Sequence, residues 1–135
     1  MLNILVVDDS LIIRKKMKTI IEKLGHKVVS DAQNGREGID EYNANKPDLV
    51  TMDITMPDMD GISAVKEIMK SDANAKIIMV TSHGQEDMVI KSIQAGAVGY
   101  MLKPISEDKF AQAVAEVFPE YAVDDENDEF LDFDE

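Results

Sequence analysis

Leu49-Val50-Thr51-Met52-Asp53-Ile54-Thr55-Met56-Pro57-Asp58-Met59-Asp60-Gly61 is the stretch whose reading decides the fold. A short apolar run ends on a carboxylate, and a loop of Pro, Asp and Gly follows. Runs of this length, bounded by helical patterns, read as strands buried on both faces of a parallel sheet. Working outward, the same layout recurs three times. Asp8-Asp9 follows Ile4-Leu5-Val6-Val7, Thr81 follows Ile77-Ile78-Met79-Val80, and Lys103-Pro104 follows Val98-Gly99-Tyr100-Met101-Leu102. In an open parallel α/β sheet, reactive groups gather at the carboxyl ends of the strands. Three carboxylates, a hydroxyl and an ammonium are therefore expected in one crevice, a set that suits a magnesium ion and a phosphoryl group.

Strand and helix patterns alternate five times. Strands are expected near 3–7, 27–30, 48–53, 76–81 and 98–102, and helices over roughly 11–24, 35–46, 62–71, 86–95 and 107–118. Ser10 is the expected N-cap of the first helix, whose inner face is Ile13, Met17, Ile20, Ile21 and Leu24, with Gly25 closing it. The second helix has a weaker inner face of Gly38, Ile39 and Tyr42. The third packs Ile62, Val65, Ile68 and Met69. Pro119 sits where the last helix should stop. Such alternation implies right-handed crossovers and a parallel sheet covered on both faces.

At 135 residues the chain reads as one domain. No apolar run approaches the ~20 residues of a membrane span, and no signal-peptide pattern opens the chain, so a cytoplasmic location without membrane insertion is expected. There is no cysteine, hence neither a disulfide framework nor a thiolate metal site. The net charge of −13 is uneven. Residues 124–135 hold eight acids and no base, leaving 14 basic and 19 acidic groups, net −5, in the first 122. An acidic balance argues against nucleic acid as a partner. The expected division is a domain over 1–122 and an acidic, disordered tail over 123–135, because like charges cannot bury enough surface to offset ordering entropy. Output is then expected from the surface of the one domain.

Magnesium takes one or two carboxylates, a carbonyl, waters and a phosphate oxygen. Asp8, Asp9 and Asp53 supply carboxylates that would repel one another without a cation, pushing at least one pKa upward. A carboxylate can be the nucleophile in phosphoryl transfer, and charge on the three equatorial oxygens then needs neutralising. The cation, the Lys103 ammonium and the Thr81 hydroxyl or nearby N–H groups can each take one. Taken singly, Asp8-Asp9-Ser10 reads as a capping turn, Asp53 as turn chemistry, and Thr81 or Lys103-Pro104 as ordinary loop residues. Their ordered conjunction at four strand ends is what carries the reading.

Asp8-Asp9-Ser10, Asp53 through Gly61, Thr81-Ser82 and Lys103-Pro104 together resemble the response-regulator receiver family of two-component signalling, over about residues 3–118. Asn34-Gly35-Arg36-Glu37 and the stretch from Gly84-Gln85 to Gly96-Ala97 are most similar to stand-alone CheY-type chemotaxis regulators. The resemblance implies a flavodoxin-like (βα)5 three-layer sandwich with sheet order 2-1-3-4-5. It implies that Asp53 accepts phosphate from the phosphohistidine of a sensor histidine kinase, CheA-like if the pathway is chemotaxis. Asp9 would coordinate Mg2+ directly, Asp8 through water, and the Thr55 backbone carbonyl would complete the protein ligands. Lys103 would pair with the phosphate. Thr81 would move toward it and Tyr100 would turn inward. The Lys103–Pro104 peptide bond is expected to be cis.

The implied function is a single-domain switch in motility control, not a turnover enzyme. It would bind a downstream protein, such as a flagellar motor switch protein, through the face of the fourth helix, fifth strand and fifth helix, and a phosphatase would be a further partner. Ile105 departs from the Phe frequent after Lys-Pro and is expected to loosen the last loop. Thr55 and His83 occupy positions that vary in the family and influence phosphoryl lifetime; His83 otherwise reads as an exposed loop residue and His26 receives no role. The methionines Met17, Met69, Met79 and Met101 read as core fillers. In the tail, Phe130, Leu131 and Phe133 form a candidate docking segment for a partner or for the output face. A phosphorelay intermediate or phosphate sink, an aspartyl-phosphate phosphatase of haloacid-dehalogenase type, and a flavodoxin-like FMN protein stay open as alternatives.

Overall fold

The most apolar runs become the middle of a sheet. In the computed structural model, which describes residues 1–122, β3 (Leu49–Asp53) and β4 (Ile77–Thr81) are buried at every position. A strand buried on both faces has no polar side to show, which is why these two lack alternation. They are flanked by β1 (Asn3–Val7) and then β2 (Lys27–Ala32) on one side and by β5 (Gly99–Leu102) on the other. All pairs are parallel, in the order β2-β1-β3-β4-β5. The two edge strands carry the mixed burial that solvent on one edge dictates.

Successive side chains leave opposite faces, and two cores result. Leu5, Val7, Val50, Met52, Ile77 and Met79 face the layer of α2 (Gly35–Asn45), α3 (Gly61–Ser71) and α4 (Glu86–Ala95). Ile4, Val6, Leu49, Ile78, Val80 and Met101 face α1 (Leu11–Lys23) and α5 (Glu107–Val117), where Met17, Ile21 and Phe110 are fully enclosed. The three-layer sandwich expected from the alternation is present.

The helix starts are chemically marked. Ser10, Asn34, Asp60 and Ser106 each accept a hydrogen bond from a backbone N–H three residues on, capping α1, α2, α3 and α5. Cap α4 has none; Gln85 occupies its N-cap position without a side-chain bond to the helix. That helix also buries only Ser92 fully and exposes Ile90 and Ile93, so it is the least firmly seated of the five.

Some boundaries differ from the expectation. β2 runs on to Ala32 because its register with β1 shifts between Ile4 and Leu5 and then continues to Val7↔Ala32. Pro119 does more than stop α5: it opens a 3-10 turn, Pro119–Tyr121, whose tyrosine lies edge-on to His26, ring centroids 4.9 Å apart. His26 is buried, and its Nδ1 accepts the Leu2 N–H, so it joins the start of β1 to the end of α1. Ile105, which stands where Phe is frequent, is 3% exposed and seated in the α1/α5 core. Among the described residues no helix is long and apolar enough to cross a membrane. The acidic segment 123–135 lies outside the described residues.

Candidate functional site

Register decides what meets at the top of the sheet. Val7 pairs with Met52, Asp53 with Val80, and Thr81 with Leu102. Asp8, Asp53, Thr81 and Lys103 therefore stand at the carboxyl ends of four adjacent strands, β1, β3, β4 and β5. The ends are locked by backbone bonds. Asp8 N–H donates to Ala32 carbonyl at 3.0 Å, Ile54 N–H to Val80 carbonyl at 3.2 Å, and Lys103 N–H to Thr81 carbonyl at 2.7 Å. The Lys103–Pro104 peptide bond is cis.

Ligand oxygens of Asp8, Asp9 and Asp53 lie within 4.8 Å of one another. Asp8 and Asp53 are buried, while Asp9 is exposed at the rim. The Lys103 ammonium stands 3.5 Å from Asp8 Oδ2 and 3.7 Å from Asp53 Oδ1. One positive charge thus faces three carboxylates, two of them out of solvent. Burial, then the charge of Asp8, pushes Asp53 up to about 6, against the opposing pull of Lys103. Burial also raises Asp8, opposed by the Ser10 N–H, which donates to its Oδ1 at 2.9 Å.

This donor set fits a small hard dication. Such an ion takes one or two carboxylates directly and keeps several waters, so the cluster could hold it with one carboxylate reaching it through water. Two charges would also balance what Lys103 leaves uncompensated.

Thr81 is fully buried at the strand end, but its hydroxyl is turned away, donating to Gln85 Oε1 at 2.6 Å. The same Oε1 accepts the Ser82 N–H at 3.1 Å, and Gln85 Nε2 donates to Thr55 Oγ1 at 2.9 Å. One carboxamide thus ties the β4–α4 loop to the loop after Asp53, which explains why it does not cap α4. Tyr100 is 52% exposed on β5. A cleft of about 290 Å³ runs between Thr81 and Tyr100, walled by Gln85, Val89, Ile90 and Leu102. His83 is exposed in the same loop.

Sequence reasoning missed Gln85 as an individual contributor; an uncapped helix start four residues after Thr81 was the available signal. It also missed Arg14, whose guanidinium donates to the Asp8 backbone carbonyl at 2.7 Å and to Asp31 Oδ2 at 3.0 Å, holding β1 to the end of β2. Gly61 is a third. A Cβ there would stand 2.2 Å from the Asp53 carbonyl oxygen, because Gly61 N–H bonds the Ile54 carbonyl at 2.7 Å and brings the start of α3 against the strand end.

A parallel sheet of this order, with an acidic cluster, a lysine and a threonine at its carboxyl edge, defines a class, and the model of the response regulator receiver domain matches residues 4–115. The chain belongs to that family. It is 49% identical to the chemotaxis protein CheY of Thermotoga maritima over 114 residues, 84% of this chain and 95% of that protein. It is 50% identical to CheY of Bacillus subtilis over 111 residues, 82% of this chain and 92% of that one. Its fold is similar to that of a CheX-CheY-BeF3-Mg2+ complex from Borrelia burgdorferi, with a TM-score of 0.82 at 37% identity, covering 86% of this chain and 88% of that one. The domain is a CheY-like receiver of two-component signalling, which sets aside the haloacid-dehalogenase and FMN readings; a phosphorelay intermediate or phosphate sink is itself a receiver and is not separated by membership.

Proposed function

We propose that this chain is a phosphorylation-driven switch in which Asp53 accepts a phosphoryl group from the phosphohistidine of a sensor histidine kinase, and residues 1–122 form the working unit. An Asp53 carboxylate oxygen attacks phosphorus, the P–N bond breaks, and the electron pair returns to the imidazole, which takes up a proton. The Lys103 ammonium is within 4 Å of both buried carboxylates and neutralises charge on the incoming phosphoryl oxygens. Asp8, Asp9, Asp53 and the Thr55 carbonyl would hold Mg2+, which when bound supplies charge for a further phosphoryl oxygen. The observation that carries this reading is Asp53 itself: buried, at the end of the central strand, raised to about 6, and flanked by both the acidic cluster and a lysine.

Signal output follows from the hydroxyl of Thr81. On phosphorylation it exchanges Gln85 for a phosphoryl oxygen, the β4–α4 loop repacks, and Tyr100 turns into the cleft beside it. The face of α4, β5 and α5 then binds a downstream protein in motility control. Resemblance to the chemotaxis proteins supports that pathway. A phosphatase is a further partner in this proposal; the structural relative was solved with a second protein, CheX, and Mg2+. Phosphorylated and unphosphorylated chain, each as wild type and Tyr100→Ala, should be compared in a pull-down with the candidate motor-switch protein. Capture that depends on phosphate and is lost with Tyr100→Ala is expected. Equal capture of both forms would overturn the switching role.

A further inference from the structure

Positive charge in this acidic protein is concentrated on one helix. Residues 11–28 hold Arg14, Lys15, Lys16, Lys18, Lys23 and Lys27 against the single acid Glu22. Arg14 is bonded to Asp31 and Lys23 to Glu107, whereas Lys15, Lys16 and Lys18 are exposed and pair with no acid among the described residues. At the top of the same helix Leu11 is 54% and Ile12 78% exposed. A groove of about 290 Å³ runs beside α1 toward β2, lined by Leu11, Arg14, Lys15, Lys18, Val28, Ser30 and Asp31. Arg14 neutralises Asp31, so Lys15 and Lys18 leave the groove basic and part-apolar.

We propose that segment 124–135 of the same chain docks along α1, setting its carboxylates against Lys15, Lys16 and Lys18 and its Phe130, Leu131 and Phe133 against Leu11 and Ile12. Charge complementarity is the first argument: eight acids without a base meet this basic surface. Length is the second. The chain leaves the described fold at Ala122, next to Tyr121, which packs on His26 just past the lower end of α1. The thirteen residues of α1 span about 20 Å at ~1.5 Å each, and the eight residues from 123 to Phe130 reach about 26 Å at ~3.3 Å each. The aromatic residues therefore arrive at the level of Leu11 and Ile12. The rival surface on this molecule is the groove of Ile93, Tyr100, Lys109 and Glu116. There Glu116 offsets Lys109, whose ammonium already donates to the carbonyls of Leu102 and Pro104. That groove offers an acidic segment no net positive charge, whereas α1 does.

The docking itself is tested without any phosphorylation. Because the chain has no cysteine, Asp132→Cys accepts a single nitroxide label in the full-length protein, and isotope-labelled amide signals report where it sits. Expected is strong broadening of Leu11, Ile12 and Lys15. It should vanish in Lys15→Glu/Lys16→Glu/Lys18→Glu, and also near 1 M salt, where the Debye length falls to about 3 Å. Broadening centred on Ile93 and Tyr100, broadening unchanged by charge reversal, or none on the fold would each overturn the proposal. So would equal broadening when the nitroxide is on a separate, isotopically silent chain.

Discussion

Asp53 must be ionised to attack phosphorus, yet its surroundings favour the protonated acid. Burial and Asp8 raise it to about 6, above the ~3.9 of an unfolded chain. The folded state thus holds the proton more tightly, so in chelator the stability contributed by this group is present below about pH 4 and is lost as pH rises through 6. The shift corresponds to at most about 3 kcal/mol at ~1.36 kcal/mol per unit. Asp53→Asn should therefore be more stable than wild type at pH 7.5 in chelator, and the gain should disappear at pH 4; paired urea titrations check it. Gln85 gives a second expectation. Removing its carboxamide frees the Thr81 hydroxyl from its 2.6 Å bond, so Gln85→Ala should raise partner capture by unphosphorylated protein several-fold, read by titration calorimetry. Asp8, Asp9, Asp53, Thr81 and Lys103 could be picked out from the chain because each ends an apolar run. The contacts of Gln85, Arg14 and Gly61 left no periodic trace, since a hydrogen bond to a loop or a missing Cβ has none; for Gln85 the uncapped start of α4 was the one signal.

Elements were legible to the degree that burial is two-sided. β3 and β4 are mostly apolar and buried at every position, whereas the far end of β2 contains Ser30 and Asp31 and reads as a turn until β1 supplies its partner. The 3-10 turn at Pro119 sets Tyr121 against His26, almost a hundred residues away, and no periodic pattern announces that contact. Element junctions are where packing and chemistry meet. Gly61→Ala forces a Cβ into the Asp53 carbonyl, and overpacking of this kind costs about 1–3 kcal/mol. Because the displaced atom belongs to the phosphoacceptor, the variant should lose phosphorylation rate as well as stability. Phe110→Ala, in the core under α5 and away from the site, should cost more, about 3–5 kcal/mol, yet leave the rate per folded molecule unchanged. Thermal melts and phosphorylation time courses on both variants separate the two effects.

Across the whole molecule, the acidic cluster, the lysine and the switch cleft are held together by the sheet, so a ligand of the cluster stabilises the fold. A dication present at 100 times its dissociation constant adds about 2.7 kcal/mol. Magnesium should raise the melting temperature at pH 7.5. That rise should shrink as pH falls through 6, where protons compete for the Asp53 carboxylate, with Asp8 also raised, and should be lost in Asp9→Asn; differential scanning calorimetry over a pH series measures it. The parallel α/β class was legible in the alternation of strand and helix patterns, while the strand order came only with the resemblance to the receiver family. Which way Thr81 points and how far Tyr100 is exposed were not legible, because side-chain direction at a strand end depends on loops from other parts of the chain. The most direct measurement is to treat the protein with acetyl phosphate and Mg2+ and locate the added group by mass spectrometry of peptides. The account predicts one phosphoryl group, on Asp53, absent without Mg2+ and absent in Asp53→Asn. Equal labelling of Asp53→Asn, or a phosphoryl group on another residue of the wild type, would contradict it.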